Sequence, residues 1–360
     1  MPLKRPRHSR GAAGWRLMLL LALTVALLAV LMLSLAWGSV SIPLEQIMLI
    51  LLGGEADRAA WANIVLKFRL PKALTAMLAG MALSASGLMM QTFFRNALAG
   101  PFVLGVSSGA SLGVALVVLS TAAVAGRFAS QAGLGLTGDL LLSLAAGLGA
   151  GITMALVLLV SARIRSSMTL LILGLMFGYL AAALVSLLLY FAVPERIQAY
   201  INWTFGTFSG VTWEQLPILG LTVIGGLLLA GGLAKPLNAL LLGENYARSL
   251  GIHLGWLRLG IVSATSLLAG AVTAFCGPIA FIGIAVPHLC RALFRSADHG
   301  LLLPAAMVTG AIVALLAALM AELPGNNLVL PLNAVTALLG APVVMGVILR
   351  QRHFERAASL

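Results

Sequence analysis

Apolar runs of about 20 residues, separated by short polar islands, recur along the chain from Leu17 to Leu349. A helix needs roughly that length to cross a hydrocarbon core of about 30 Å. In lipid only helices and closed barrels satisfy their own backbone hydrogen bonds, and barrel strands would alternate over about ten residues. The pattern predicts nine spanning helices, near 17–36, 73–92, 103–122, 140–160, 168–190, 215–234, 258–276, 300–321 and 331–349. A further apolar segment, 279–293, is short and interrupted by Pro287, so the pattern leaves a tenth span and a re-entrant piece both open. The first run is too long for a signal-peptide core and no small-residue cleavage site follows it, so it reads as a retained helix. The predicted organisation is a basic tail over 1–16, one transmembrane domain over 17–349, and a tail over 350–360.

Charge decides the topology. With the N-terminus inside and the short segment crossing, sixteen of the 22 Lys and Arg residues fall on the inner side. Only Arg58, Lys67, Arg69, Lys72, Arg127 and Arg196 remain outside, while the acidic residues lean the other way. That bias predicts ten spans with both termini in the cytoplasm. It also gives the net charge of +12 a membrane explanation and argues against nucleic acid as a partner. Charged residues are only 9% of the chain, against roughly 25% in a soluble domain. Glycines crowd the helices (Gly80, Gly87, Gly105, Gly109, Gly113, Gly147, Gly149, Gly151, Gly174, Gly178), as close helix packing in lipid requires.

Candidate chemistry is sparse. The spans carry almost no ionisable side chain beyond His288 and edge residues such as Asp139 and Glu214, which weakens a proton- or sodium-driven carrier. There is no Ser/His/Asp set, no paired carboxylates and no phosphate loop, and Cys276 and Cys290 match no metal spacing and read as packing residues. The chain reads as a non-enzyme without metal or cofactor of its own, so energy for uphill transport has to come from a partner. The inner loop 235–257 carries Leu237, Leu240, Leu241, Ala247 and Leu250 on short helical spacing. Glu244 opens its second half and Gly251 suits a C-cap. It predicts two short helices lying across the membrane face, suited to docking a protein or to lying in the interface.

Five ordered motifs between about Trp37 and Arg352 then resemble the FecCD-type permeases of bacterial ABC importers, the vitamin B12, ferric-siderophore and haem permeases. They are RLPK at 69–72, MMQTFFRNALAGPFVLGVSSGASLG at 89–113, GENYARSLG at 243–251, GPIAFIGIAVPHLCR at 277–291 and LPLNAVTALLGAP at 330–342. The resemblance implies an all-α, type II importer permease of ten transmembrane helices in a bacterial inner membrane. It implies a homodimer or close heterodimer, two cytoplasmic ATPase subunits that bind ATP and Mg2+, and a periplasmic or lipid-anchored binding protein. Gly243, Glu244, Ala247, Leu250 and Gly251 become ATPase-coupling residues, within coupling helices at about 237–252. A cytoplasmic gate is expected at Ser166, Ser167 and Met168, and a translocation path along 168–190 and 331–349. Arg95 and Asn96 would brace the turn after the second helix. Pro287, His288 and Arg291 would be architectural, with His288 hydrogen-bonded.

Outside, Arg58 is the first candidate for docking the binding protein, with Arg69 and Lys72 either joining it or anchoring their helix at the headgroups. Departures from the family pattern are Ala97 for Pro, Lys72 for Arg and Asn333 for Gly. Asn333, with Asn326 and Asn327, adds polarity near the expected path. A ferric siderophore or haem heads the expected substrates, with cobalamin as the alternative. A secondary carrier, or a sensor or scaffold without transport, is the reading in the absence of an ATPase.

Overall fold

Leucine-, alanine- and glycine-rich runs whose backbone groups can only bond to one another form the whole architecture. A computed structural model describes residues 9–119, 138–164, 166–322 and 329–358. Three helices open the chain: α1 (Ser9–Ala36), α2 (Leu44–Leu51) and α3 (Ala59–Asn63). A π-helical turn (Ile64–Arg69) then feeds α4 (Leu70–Phe93) without a break, with Pro71 in its first turn. A 3-10 turn (Pro101–Leu104) and α5 (Val106–Val118) follow, then α6 (Gly138–Arg163), α7 (Ser167–Tyr190) and α8 (Pro194–Thr204). The second half contains α9 (Leu216–Gly232), α10 (Ala234–Leu241), α11 (Glu244–Ser249) and α12 (Leu254–Cys276). It closes with α13 (Ile282–Phe294), α14 (His299–Ala321) and α15 (Leu332–Ala358).

The centre of the bundle is α4, which packs against α9, α12, α13 and α14. Its neighbours approach that closely because glycines face each other across the contacts. A Cβ on Gly80 would overlap the Gly310 carbonyl of α14, and one on Gly87 would overlap the Gly283 carbonyl of α13. Gly151 has nothing within 4 Å of an added Cβ, so that glycine of the predicted packing set serves no contact.

Six helices among the described residues are long and apolar enough to span a membrane, and a seventh if α9 and α10, bent by 50°, count as one. Of the ten expected spans, including the short segment 279–293, three are therefore present only as shorter apolar helices. Gly105, at φ 77°, restarts the chain so that α5 begins only at Val106, three residues into the predicted 103–122 span. The last helix is apolar from Leu332 to Leu349, where Arg350 ends the run, which leaves it among the shorter candidates. The segment 279–293 forms a 13-residue helix, and its break lies elsewhere than expected. Pro287 sits inside α13, while the interruption is the stretch after Cys276, where Gly277 (φ 74°) and Phe281 (φ 67°) turn the chain. Asn326 and Asn327 lie outside the described residues, as does most of the basic tail.

Candidate functional site

Local sequence builds the arm that follows α10. Gly243 adopts φ 121°, ψ 153°, a conformation that side chains disfavour, and α11 starts from it without a cap side chain. At the other end, Gly251 (φ 80°) donates its N–H to Arg248 O at 3.0 Å and Ile252 donates to Ala247 O at 3.1 Å. That pair of bonds is a Schellman ending, which needs a glycine at the left-handed position. Between the two glycines Ala247 is fully buried, whereas Tyr246 and Leu250 are exposed. Ala247 therefore packs inside the fold and presents no side-chain surface. The outward apolar face consists of Leu241, Leu242, Tyr246 and Leu250.

Glu244, at the head of α11, is held by Arg258 of α12, whose Nη2 lies 2.9 Å from Oε1 and 3.0 Å from Oε2. Ser167 Oγ at the start of α7 reaches the same carboxylate at 3.5 Å. Ser166 caps α7 by accepting from Thr169 N at 3.3 Å, and Met168 beside it is exposed. Together these residues border a cleft of about 520 Å³ lined by Phe93, Phe94, Arg95, Ser166, Ser167 and the stretch from Leu242 to Tyr246. The structure thus joins three motifs that are far apart in sequence: the FRN turn, the predicted gate serines and the GENYARSLG segment. Arg258 was not singled out by sequence reasoning. Its partner lies 14 residues away across a helix break, a spacing that no helical periodicity marks.

Next to the cleft, the turn after α4 is braced as its composition allows. Arg95 takes a left-handed φ of 48°, and Asn96 Oδ1 accepts from Leu98 N at 2.9 Å. The Ala97 carbonyl accepts a hydrogen bond from His288 at 2.8 Å. Arg291, one turn along α13, donates to Gln91 Oε1 at 2.5 Å, and Gln91 Nε2 donates back to Ile284 O at 3.1 Å. These bonds spend His288 and Arg291 inside the fold. Among the described residues no group of three or more His, Cys, Asp or Glu is placed to hold a metal ion.

The opposite end carries the other predicted residues. Arg69 donates to the carbonyls of Leu35 (2.6 Å), Ala36 (3.1 Å) and Val40, so its guanidinium ties the end of α1 to the turn that follows it. Lys72 forms an ion pair with Glu322. Both side chains are engaged within the chain and line a cavity of about 1050 Å³ with Lys67, Trp213 and Gln215. Arg58 instead lies over the exposed side of Trp61, 5.1 Å from the ring centroid. Asn333 does not present its amide to open space: Oδ1 accepts from Ala280 N at 2.9 Å and Nδ2 donates to Thr204 O at 3.3 Å. It ties the break before α13 to the end of α8. Tyr200 of α8 bonds Ser111 at 2.7 Å, and burial pushes its phenol above the usual range.

Comparison with known proteins follows this geometry. The FecCD transport family matches residues 26–350. The vitamin B12 import system permease protein BtuC of Klebsiella pneumoniae is 36% identical over 333 residues, covering 92% of this chain and 94% of that protein. BtuC of Escherichia coli O127:H6 is 36% identical over 331 residues, with the same two coverages of 92% and 94%. Among solved structures, an inward-facing conformation of a metal-chelate type ABC transporter superposes with a TM-score of 0.78 at 29% identity, over 93% of this chain and 99% of that one. PsaBC of Streptococcus pneumoniae, at 17% identity and a TM-score of 0.51 over 77% of this chain, shares the fold alone. The chain belongs to the FecCD transport family: it is an all-helical, multi-pass permease of the ABC-importer type, a translocation subunit and not an enzyme.

Proposed function

We propose that this chain is the permease subunit of an ATP-driven importer for cobalamin. The observation that carries the reading is the 36% identity to vitamin B12 permeases across 92% of the chain, with the motif-bearing segments included. Iron complexes, placed first on motifs alone, fall behind cobalamin on that ground. In this reading two copies pair, two ATPase subunits hold ATP and Mg2+, and a binding protein delivers the solute from outside a bacterial inner membrane.

The cleft end is cytoplasmic, together with both termini, and the end carrying Arg58 faces outward. Ten crossings follow if α5, α13 and the apolar part of α15 cross as short spans alongside the six long helices and the α9–α10 pair. The arm over 234–251 receives the ATPase through Leu241, Leu242, Tyr246 and Leu250, while Gly243, Glu244, Ala247 and Gly251 set its shape. Glu244 links that arm to Ser167 at the gate formed with Ser166 and Met168, so movement of the arm reaches the head of α7 directly. Solute passes along α7 and α15 between the two copies. Arg58 is the outer contact for acidic groups on the binding protein, and Arg69 and Lys72 brace the helix ends instead.

Co-expression with an ATPase of this transporter class tests the reading. The expected result is a stable complex that dissociates when Leu241 and Leu250 are both replaced by Asp. A permease that purifies alone under every condition, in folded form, overturns it.

A further inference from the structure

Asn238 lies on α10, with its side chain at the head of α14. The His299 backbone N–H and His299 Nδ1 each lie 2.8 Å from Asn238 Oδ1. A backbone N–H only donates, so the atom it meets is the amide oxygen, and the ring nitrogen beside it carries a proton. The other end of the amide, Nδ2, then donates to Asp298 Oδ1 at 2.6 Å. Asp298 caps α14 at the same time, accepting from Gly300 N at 2.9 Å. On the far side of the ring, His299 Nε2 lies 2.8 Å from Thr92 Oγ1 in the last turn of α4. His299 is almost wholly buried. A continuous run of hydrogen bonds therefore leads from the arm, through the head of α14, into the end of the central helix, one residue before the side chains that line the cleft.

The remaining attachments of α10 are apolar, through the buried Leu237 and Leu240. Apolar faces hold two helices together without fixing their relative angle, whereas a paired donor and acceptor is directional. We infer that Asn238 is a positioning residue: it latches the arm to the heads of α14 and α4, so that all three move as one body when the ATPase displaces the arm. The inference rests on the reading of 234–251 as the ATPase-coupling arm. It differs from ordinary structural packing in what it requires, namely an acceptor toward 299 and one donor–acceptor pair between 238 and 298, whichever of the two residues supplies the donor.

That requirement supplies the test. Permease, ATPase and binding protein are reconstituted in liposomes, and the fold stimulation of ATP hydrolysis by the binding protein is measured by phosphate release. Asn238→Asp keeps size and the acceptor toward His299 but sets a second carboxylate against Asp298. The latch predicts unchanged ATPase recovery and stimulation reduced about tenfold, as expected of like charges forced together. Combining Asn238→Asp with Asp298→Asn exchanges donor and acceptor and keeps a good helix cap, so stimulation returns to within about twofold of the unmodified assembly. Full stimulation in Asn238→Asp, or no restoration by the exchange in an assembled complex, overturns the latch alone. If Asn238→Asp does not assemble, the exchange variant decides: recovered assembly and stimulation support the latch, and no recovery overturns it. An unmodified permease that binds no ATPase overturns the reading of the arm, and the latch with it.

Discussion

Gly87→Ala isolates what the central glycines do. An added Cβ at 87 would overlap the Gly283 carbonyl oxygen, its carbon and its Cα, all backbone atoms that no side-chain rotation can move. Helices α4 and α13 must then part by about 1 Å, a gap that forfeits a quarter to a half of the dispersion between facing atoms. One turn further on, the Gln91 bond to Ile284 O, now 3.1 Å, lengthens as well and forfeits about 1 kcal/mol. Overpacking of this kind costs about 1–3 kcal/mol, so the total is about 3 kcal/mol. For a chain of this size that lowers the thermal midpoint by about 4 °C. The assay is the temperature at which the detergent-solubilised protein leaves its monodisperse peak in size-exclusion chromatography.

Gly151→Ala is the matched control. Nothing lies within 4 Å of its added Cβ, and alanine gains up to about 1 kcal/mol in a helix interior, so its midpoint stays level or rises. Equal losses at 87 and 151 would refute the argument, because helix chemistry rather than interhelical distance would then govern both.

Two other outcomes follow from the cleft end. Arg258→Met keeps the side-chain length but strips Glu244 of its ion pair, at a cost of about 1–2 kcal/mol after allowance for the partial exposure of the carboxylate. ATPase recovery should fall more for Arg258→Met alone than for Arg258→Met combined with Glu244→Gln, which leaves no uncompensated charge, and equal losses would contradict this. The Asn238 amide, then the Gly300 N–H, hold the Asp298 carboxyl below the usual carboxylate range. A carboxylate with a depressed native pKa stabilises fully above its unfolded value of about 3.9 and loses that contribution as pH falls through the native value. The thermal midpoint of the unmodified protein should therefore fall more steeply below about pH 4 than that of Asp298→Ala, and parallel curves would rule the effect out.

Much of this molecule is readable from sequence because lipid leaves the backbone so few choices. Hydropathy located α4, α6, α7, α9, α12, α14 and the end of α1 to within a few residues, and the short paired helices of the arm followed from leucine spacing and Gly251. The break before α13 escaped because Pro287 is the conspicuous residue, whereas the turn depends on Gly277 and on Phe281, whose positive φ no residue-type rule anticipates. Contacts between distant segments were equally hidden. Arg69 satisfies carbonyls at the end of α1, and Arg258 holds Glu244 across a turn, neither of which leaves a periodic trace. The glycines show the same limit: composition marks Gly87 and Gly151 alike, and only the three-dimensional distances separate a contact from an open face.

The central claim is tested most directly by accumulation of labelled cyanocobalamin into liposomes carrying this permease, its ATPase and its binding protein, with haem and a ferric siderophore as competitors. Uptake against the gradient that requires ATP and is unaffected by either iron complex is the predicted result. A fully assembled, ATP-hydrolysing complex that accumulates an iron complex and excludes cobalamin would contradict the account.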